Sequence, residues 1–427
     1  MLLLFRTLRP ISAYSRQNTA MRLFRSKKTM LSGGSVNQLA WQRLRRNPTA
    51  LLAFGIIGLA LLGGILGYAI TPDPSPMANR QHLEISLKQP GFQTHILQIR
   101  KKTTQSTTPW YRGMWQGFPE LYQHIPLDTF YIKGDSLYYR VLSSLPGAPA
   151  EGILLPEVFL PVKEITKSSE TEWEALLMDG RELVITDPQI SAAIKSNVKE
   201  KRFILGTDRF GRDMLSRLII GARVSLSVGF IAVFISLLIG ISLGAMAGYF
   251  RGWIDDLILW LINVVWSIPT LLLVIAITFA LGKGFWQVFV AVGLTMWVEV
   301  ARVVRGQVLS IREKEFVEAG RALGYGHFRI ITKHILPNVM APVIVISAAN
   351  FASAILIEAG LSFLGIGVQP PMPSWGSMIR ENYAYIILDK AYLAILPGTC
   401  IMLLVLAFML LGNALRDALD VRTQTIS

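Results

Sequence analysis

Hydrophobic and polar positions divide the chain into two unlike kinds of sequence. Residues 49–70 (TALLAFGIIGLALLGGILGYAI) run for about 22 positions without a charge. That is long enough to cross a hydrocarbon core about 30 Å thick as a helix. Residues 71–204 change character. Charges of both signs mix with short alternating runs, FYIKGDSLYYRVL, GILLPEVFLPV and ALLMDGRELVITD, punctuated by Gly and Pro. Period-two alternation predicts strands, and Met178-Asp179-Gly180-Arg181 predicts a hairpin turn. From residue 205 the long apolar runs return. They predict five further spans, at residues 224–246, 257–281, 285–300, 339–357 and 391–411. In the second span Gly240, Gly244 and Gly248 recur every four residues, a stripe suited to close helix packing. In the third, Pro269 predicts a kink, and Asn263 is a polar group that must find a partner or face a path. The fourth is expected to end at Glu299, Arg302 and Arg305.

The longest polar interruption in this half is EAGRALGYGHFRIITKHILP, residues 318–337. Glu315, Phe316, Ala319, Gly320 and Leu323 recur at helical spacing with small apolar side chains on one face. Gly324 stands where a helix would stop in a left-handed cap. A second short helix is expected from about Gly326 to Ile335, with Pro337 barring its simple continuation. A helix–Gly–helix elbow of this kind suits insertion into a partner's cleft, with Glu318 and Arg321 flanking it as charges.

Composition agrees with a membrane protein. Of 427 residues 52% are hydrophobic and 16% charged, with a mean hydropathy of +0.44. The net charge of +14 is concentrated beside the apolar runs. The first 48 residues carry Arg and Lys and no acid, which predicts a basic cytoplasmic tail under the positive-inside rule. Met21 and Met30 are alternative starts, and an organelle-targeting reading of that tail is weaker. No basic stripe with interleaved aromatics points to nucleic acid. Cys400 is the single cysteine, so no disulfide framework is expected. The five histidines are scattered, and no metal site is expected. No Gly-x-x-x-x-Gly-Lys-Ser/Thr loop is present in the sequence, and no nucleophile constellation stands out, so no catalytic residues are assigned.

Three segments resemble ABC importer permeases of the dipeptide/oligopeptide branch. The first is the elbow, where Glu318, Ala319, Gly324, Leu336 and Pro337 match the coupling-loop pattern. Gly320 replaces a second alanine there, and His334 an aliphatic position. The second is LGTDRFGRDMLSRLIIGARVSL, residues 205–226, which by charge alone reads as a self-paired surface turn leading into a helix. Phe203-Ile204 departs from a His-Pro often found before it. The third is residues 360–380, including LSFLGIG, QPP and SWG, read as an external rim, with Trp375 at a membrane interface. The likeness covers residues 40–75 in part and 203–423 closely. Residues 75–200 have no counterpart of that size in the family pattern.

The resemblance implies a six-span, all-α permease of type I architecture, with a mostly β extracytoplasmic insert. The expected layout is a tail at 1–48, the first span at 49–70, the insert at 71–204 and the permease domain at 205–423, with its coupling loop at 312–337. It also implies a cytoplasmic (inner) membrane location with both termini cytoplasmic. The implied partners are two ATPase subunits, a second related permease and an extracytoplasmic substrate-binding protein. ATP and Mg would be used by the ATPase chains and no cofactor bound by this one. Peptides are the expected cargo. Glu318, Ala319, Gly320, Leu323 and Gly324 are the candidate docking contacts, and Asn263 a candidate path residue. A membrane-anchored sensor with an extracytoplasmic ligand-binding domain is the alternative. It explains the insert but neither the elbow nor the segment at 205–226.

Overall fold

The computed structural model describes residues 36–103, 108–142, 149–169, 171–282 and 284–419. The basic positions before residue 36, with Met21 and Met30, lie outside the described residues. The chain enters on a short amphipathic helix, α1 (Val36–Arg46). Helix α2 (Pro48–Ile70) follows at once. Asn47 caps it, its side chain accepting from the amides of Thr49 and Ala50, and Pro48 at the first turn gives up a donor that has no intrahelical partner anyway.

A β-rich unit comes next. Its elements are β1 (Phe92–Arg100), α3 (Trp110–Gln116), β2 (Tyr122–Lys133), β3 (Ser136–Val141), β4 (Glu151–Leu154), α4 (Leu155–Phe159), β5 (Val162–Lys167), β6 (Glu172–Leu177), β7 (Glu182–Thr186), α5 (Asp187–Asn197) and β8 (Val198–Phe203). They make two antiparallel sheets, ordered β4-β3-β2-β1-β8 and β5-β6-β7. The predicted turn at Met178–Arg181 is there: the Leu177 amide bonds Arg181 O at 2.9 Å, with Gly180 at φ +84°. The run GILLPEVFLPV is not one strand. It breaks into β4, α4 and β5, because Pro156 cannot donate to a ladder and suits the first turn of a helix instead. The last strand, β8, pairs with the first, β1, in register Phe92↔Phe203. The unit therefore enters and leaves at one place.

The remaining elements are α6 (Met214–Phe250), α7 (Gly252–Trp266), α8 (Thr270–Leu281), α9 (Phe285–Ile311), α10 (Glu315–Ala322), α11 (His327–Arg329), α12 (Leu336–Leu364), α13 (Trp375–Asn382) and α14 (Tyr392–Leu419). Among the described residues, five helical segments are long and apolar enough to cross a membrane, and six if α7 and α8 count as one bent span. Those two meet at 94°. The predicted kink at Pro269 is thus a full break, since proline removes a donor and clashes with the preceding turn.

Helices α6 and α9 form the closest pair. A Cβ added at Gly240, Gly244 or Gly248 would stand 2.5–2.9 Å from Val300, Val304 or Val308 of α9. The small-residue stripe is therefore the seam that lets two backbones approach. This seam also carries α9 further than its apolar pattern predicts. Arg305 leaves the helix surface to pair with Asp255 of α7 at 2.6 and 2.7 Å, so the helix continues to Ile311. Glu299 lies near its middle rather than at its end.

Candidate functional site: the elbow and the opposite end of the bundle

Helix α10 ends as its sequence predicts. The Tyr325 amide bonds Gly320 O at 3.1 Å and the Gly324 amide bonds Arg321 O at 2.9 Å, while Gly324 sits at φ +76°. These bonds satisfy the last carbonyls of the helix in a conformation that a side chain would strain. The five sequence-predicted contacts then divide. Glu318, Ala319, Leu323 and Gly324 are exposed, Leu323 by 71%. Gly320 is buried, and a Cβ there would meet Tyr325 at 3.5 Å. It belongs to the inner face of the elbow. Sequence reasoning passed over Phe328, which is 80% exposed and lies just beyond the bend. Its signal was an aromatic in an otherwise polar stretch.

The inner face is braced. Val317, Ile330 and Ile335 are buried with Val304 and Val308 of α9 and Tyr249 of α6. The hydroxyl of Tyr249 lies 2.9 Å from His327 Nδ1. The guanidinium of Arg321 sits over the Tyr249 ring, and that of Arg329 over Tyr325. Pro337 does not end the second helix. Residues Ile330–Ile335 form a wider π-helical turn, and the path runs continuously into α12. Pro337 follows directly on the widened turn, where its missing N–H is tolerated, and Asn338 Nδ2 donates back to the His334 carbonyl at 2.7 Å. The elbow is thus a rigid extension of a long helix.

At the opposite end of the bundle, residues 205–217 form a buried charge network. Asp208 accepts from the amides of Phe210 and Arg212 at 2.9 and 3.0 Å and pairs with Arg212 Nε at 2.6 Å. Arg212 and Arg217 both reach Glu381 of α13. This is no solvated turn, for Asp208, Arg212 and Arg217 are all nearly inaccessible. The same segment is stitched to the β-rich unit. The His82 amide bonds Phe210 O, the Leu87 amide bonds Asp208 O and the Thr207 amide bonds Lys88 O, at 2.9–3.1 Å. Gly211 (φ +70°) passes so close to His82 O that any Cβ would overlap it. Trp375 is buried, not interfacial: its Nε1 donates to Leu218 O at 2.9 Å, and the ring packs on Gly221.

Around this junction the titratable groups are perturbed. Burial would raise the Asp73 carboxyl, but Arg80, Lys201 and hydrogen bonds from Ser75 outweigh it and hold it below the usual range. Burial lowers His82 to about 4 and His124 to about 3, with Lys201 and Arg80 adding to the effect. No group of three or more His, Cys, Asp or Glu able to hold a metal occurs among the described residues.

Asn263 lies exposed on α7. It does not line the cavity beside the α7–α8 break, which is bounded instead by Trp266, Thr270, Thr295, Glu299 and Ser353 among others.

Comparison with known proteins matches two stretches of the chain to family models. Residues 240–425 match the model of the family described as binding-protein-dependent transport system inner membrane component. Residues 35–90 match the N-terminal TM domain of oligopeptide transport permease C. A dipeptide transport system permease of Alkalihalophilus pseudofirmus is 45% identical over 215 residues, covering 50% of this chain and 70% of that protein. A glutathione transport system permease of Pectobacterium atrosepticum is 40% identical over 216 residues, 51% of this chain and 71% of that one. A di/tripeptide transport system permease of Pseudomonas aeruginosa is 44% identical over 222 residues, 52% and 73%. Among solved structures, an inward-facing MetNI methionine ABC transporter aligns over 48% of this chain and 98% of that one, at a TM-score of 0.41 and 19% identity. With two family models and relatives of this identity, the chain belongs to the binding-protein-dependent transport permeases, as a permease subunit of a peptide-transport ABC importer.

Proposed function

We propose that this subunit crosses the cytoplasmic membrane six times, with both termini and the elbow in the cytoplasm and the β-rich unit of residues 71–204 outside as an insert. The broken pair α7–α8 supplies the sixth crossing. In this reading the elbow docks into one of two ATPase subunits through Glu318, Ala319, Leu323 and Phe328. Gly320 and Gly324 hold the bend rather than touch the partner. ATP and Mg act at those partner chains. Closure of the ATPases pushes the elbow, and its continuity with α12 turns that push into a rocking of the bundle. A second permease completes the path, and an extracytoplasmic binding protein delivers di- or oligopeptides. The observation that carries the reading is an apolar pair, Leu323 and Phe328, left exposed on either side of the Gly324 bend while the inner face of the elbow is firmly packed. Exposed apolar side chains on a braced element mark an interaction surface.

The test uses Leu323→Cys in a Cys400→Ala background. A membrane-impermeant thiol reagent is expected to label inverted vesicles but not intact cells, and the cysteine to cross-link to an ATPase subunit. Labelling of intact cells would sink the docking role.

A further inference from the structure

The cavity beside the α7–α8 break has a volume of about 220 Å³. Four elements build it. Trp266 ends α7, Thr270 begins α8, Thr295 and Glu299 face it from α9, and Ser353 from α12. Glu299 is the one charged residue between Phe285 and Ala301. At 1.5 Å per residue it lies about 21 Å from the start of α9 and about 18 Å from its end. A carboxylate at that depth costs about 2.5–3.5 kcal/mol on insertion scales, which is why such residues face a path or a partner and not lipid.

Glu299 is also left without a counter-charge. Arg302, one helical turn on, is the natural i,i+3 partner. Its guanidinium lies instead over the Trp266 ring, 3.5 Å from the centroid. Among the described residues Glu299 makes no ion pair, while Arg305, the next basic residue on the helix, is committed to Asp255. The cavity therefore presents a carboxylate with no ion-pair partner among the described residues, with the hydroxyl-bearing Thr270 and Ser353 on the facing helices. The break between α7 and α8 brings two helix ends to the same place, the arrangement in which transporters build solute sites.

The geometry points to a subsite for the ammonium group of the transported solute, with Glu299 as its counter-ion. This rests on the permease reading above and deepens it. It assigns the cationic end of a peptide-like cargo to this subunit at the level of the helix break. An ammonium there gains a charge-assisted hydrogen bond to the carboxylate and finds acceptors in the two hydroxyls.

The test is ATP-driven uptake of radiolabelled Ala-Ala by the assembled transporter in proteoliposomes, with its binding protein added. Glu299→Gln keeps the shape and removes the charge. It is expected to lower uptake at least tenfold, with ATP hydrolysis and subunit stoichiometry within twofold of the parent. Glu299→Asp is expected to keep at least a third of parental uptake. Uptake by Glu299→Gln within twofold of the parent overturns the subsite. So does loss of the second permease from the purified Glu299→Gln complex, since Glu299 would then be a subunit contact. A parent complex that imports no peptide sinks the proposed peptide cargo instead, and that result is read before any variant is compared.

Discussion

The two ends of the helix bundle solve opposite problems with opposite chemistry. At the elbow end, apolar Leu323 and Phe328 are left in solvent, with Glu318 and Arg321 exposed beside them. At the end that carries the β-rich unit, Asp208, Arg212, Arg217 and Glu381 are drawn into the protein and paired there. In the proposed reading, the end that receives a separate chain keeps its apolar surface open. An end that must hold its own extra domain closes over charges whose geometry fixes one arrangement. The β-rich unit is no loose appendage in this respect. Arg223 of α6 donates to the carbonyls of Gly64 and Ile65 in α2 and of Met114 and Trp115 in α3, clamping the unit to two helices at once.

Breaking the elbow should give the largest effect. Gly324→Pro places a ring where φ is +76°, outside the range near −65° that proline permits. Ala319→Trp puts bulk on the exposed face. Both variants are expected to insert and assemble the bundle, because Val317, Ile330 and Ile335 keep their packing. ATP-coupled uptake should fall at least tenfold. Near-parental uptake in both would make the two ends equivalent as far as coupling goes.

The charge network comes second. Glu381→Ala leaves two nearly inaccessible guanidinium groups short of a partner. Removing one member of a buried network typically costs about 3–5 kcal/mol, read as a lower thermal midpoint of the purified chain in detergent. Removing Arg217 and Glu381 together, as Arg217→Met with Glu381→Leu, should recover part of the loss. A Glu381→Ala midpoint equal to the parent's would mean the network holds nothing together.

What could be read in the sequence follows the same division. Helix existence was legible because apolar runs of span length have few alternatives. The elbow was legible because Gly324 and the spacing before it are local signals. The α6–α9 seam was legible as a glycine period. Helix ends were not, since α9 is prolonged past Glu299 by a pairing between Arg305 and Asp255 that lie 50 positions apart. The smooth passage through Pro337 depends on a widened turn that no local rule dictates. The charges of residues 208–217 looked like a solvated turn because their burial comes from α13 and residues 82–88, distant in sequence. The outward role given to Gly320 rested on side-chain size alone, and only the position of Tyr325 decides which way that face turns.

The smallest expected effect is a pH response confined to the β-rich end. His82 and His124 face each other across the unit, their ring centroids 6.3 Å apart. Burial is the main reason both stay neutral, His82 down to about 4 and His124 down to about 3, and Lys201 and Arg80 oppose a further positive charge there while Asp73 works the other way. In the unfolded chain both titrate near 6.5. The sign follows from linkage. Above 6.5 neither state binds the proton, and the unit has its full stability. As the pH falls below 6.5 the unfolded state gains protons that the folded state refuses, so stability is lost down to about 4 and then about 3. Hydrogen exchange of the β1 and β2 amides, corrected for the intrinsic rate, should lose on the order of tenfold in protection between pH 7 and pH 6. Amides of α10 and the α6–α9 seam should hold theirs, because the elbow end has no buried neutral histidine pair among its described residues. A variant with His82→Gln and His124→Gln should lose the response while keeping the fold. Equal acid sensitivity at both ends would mean that the contrast between them is one of packing alone, without a difference in buried protonation.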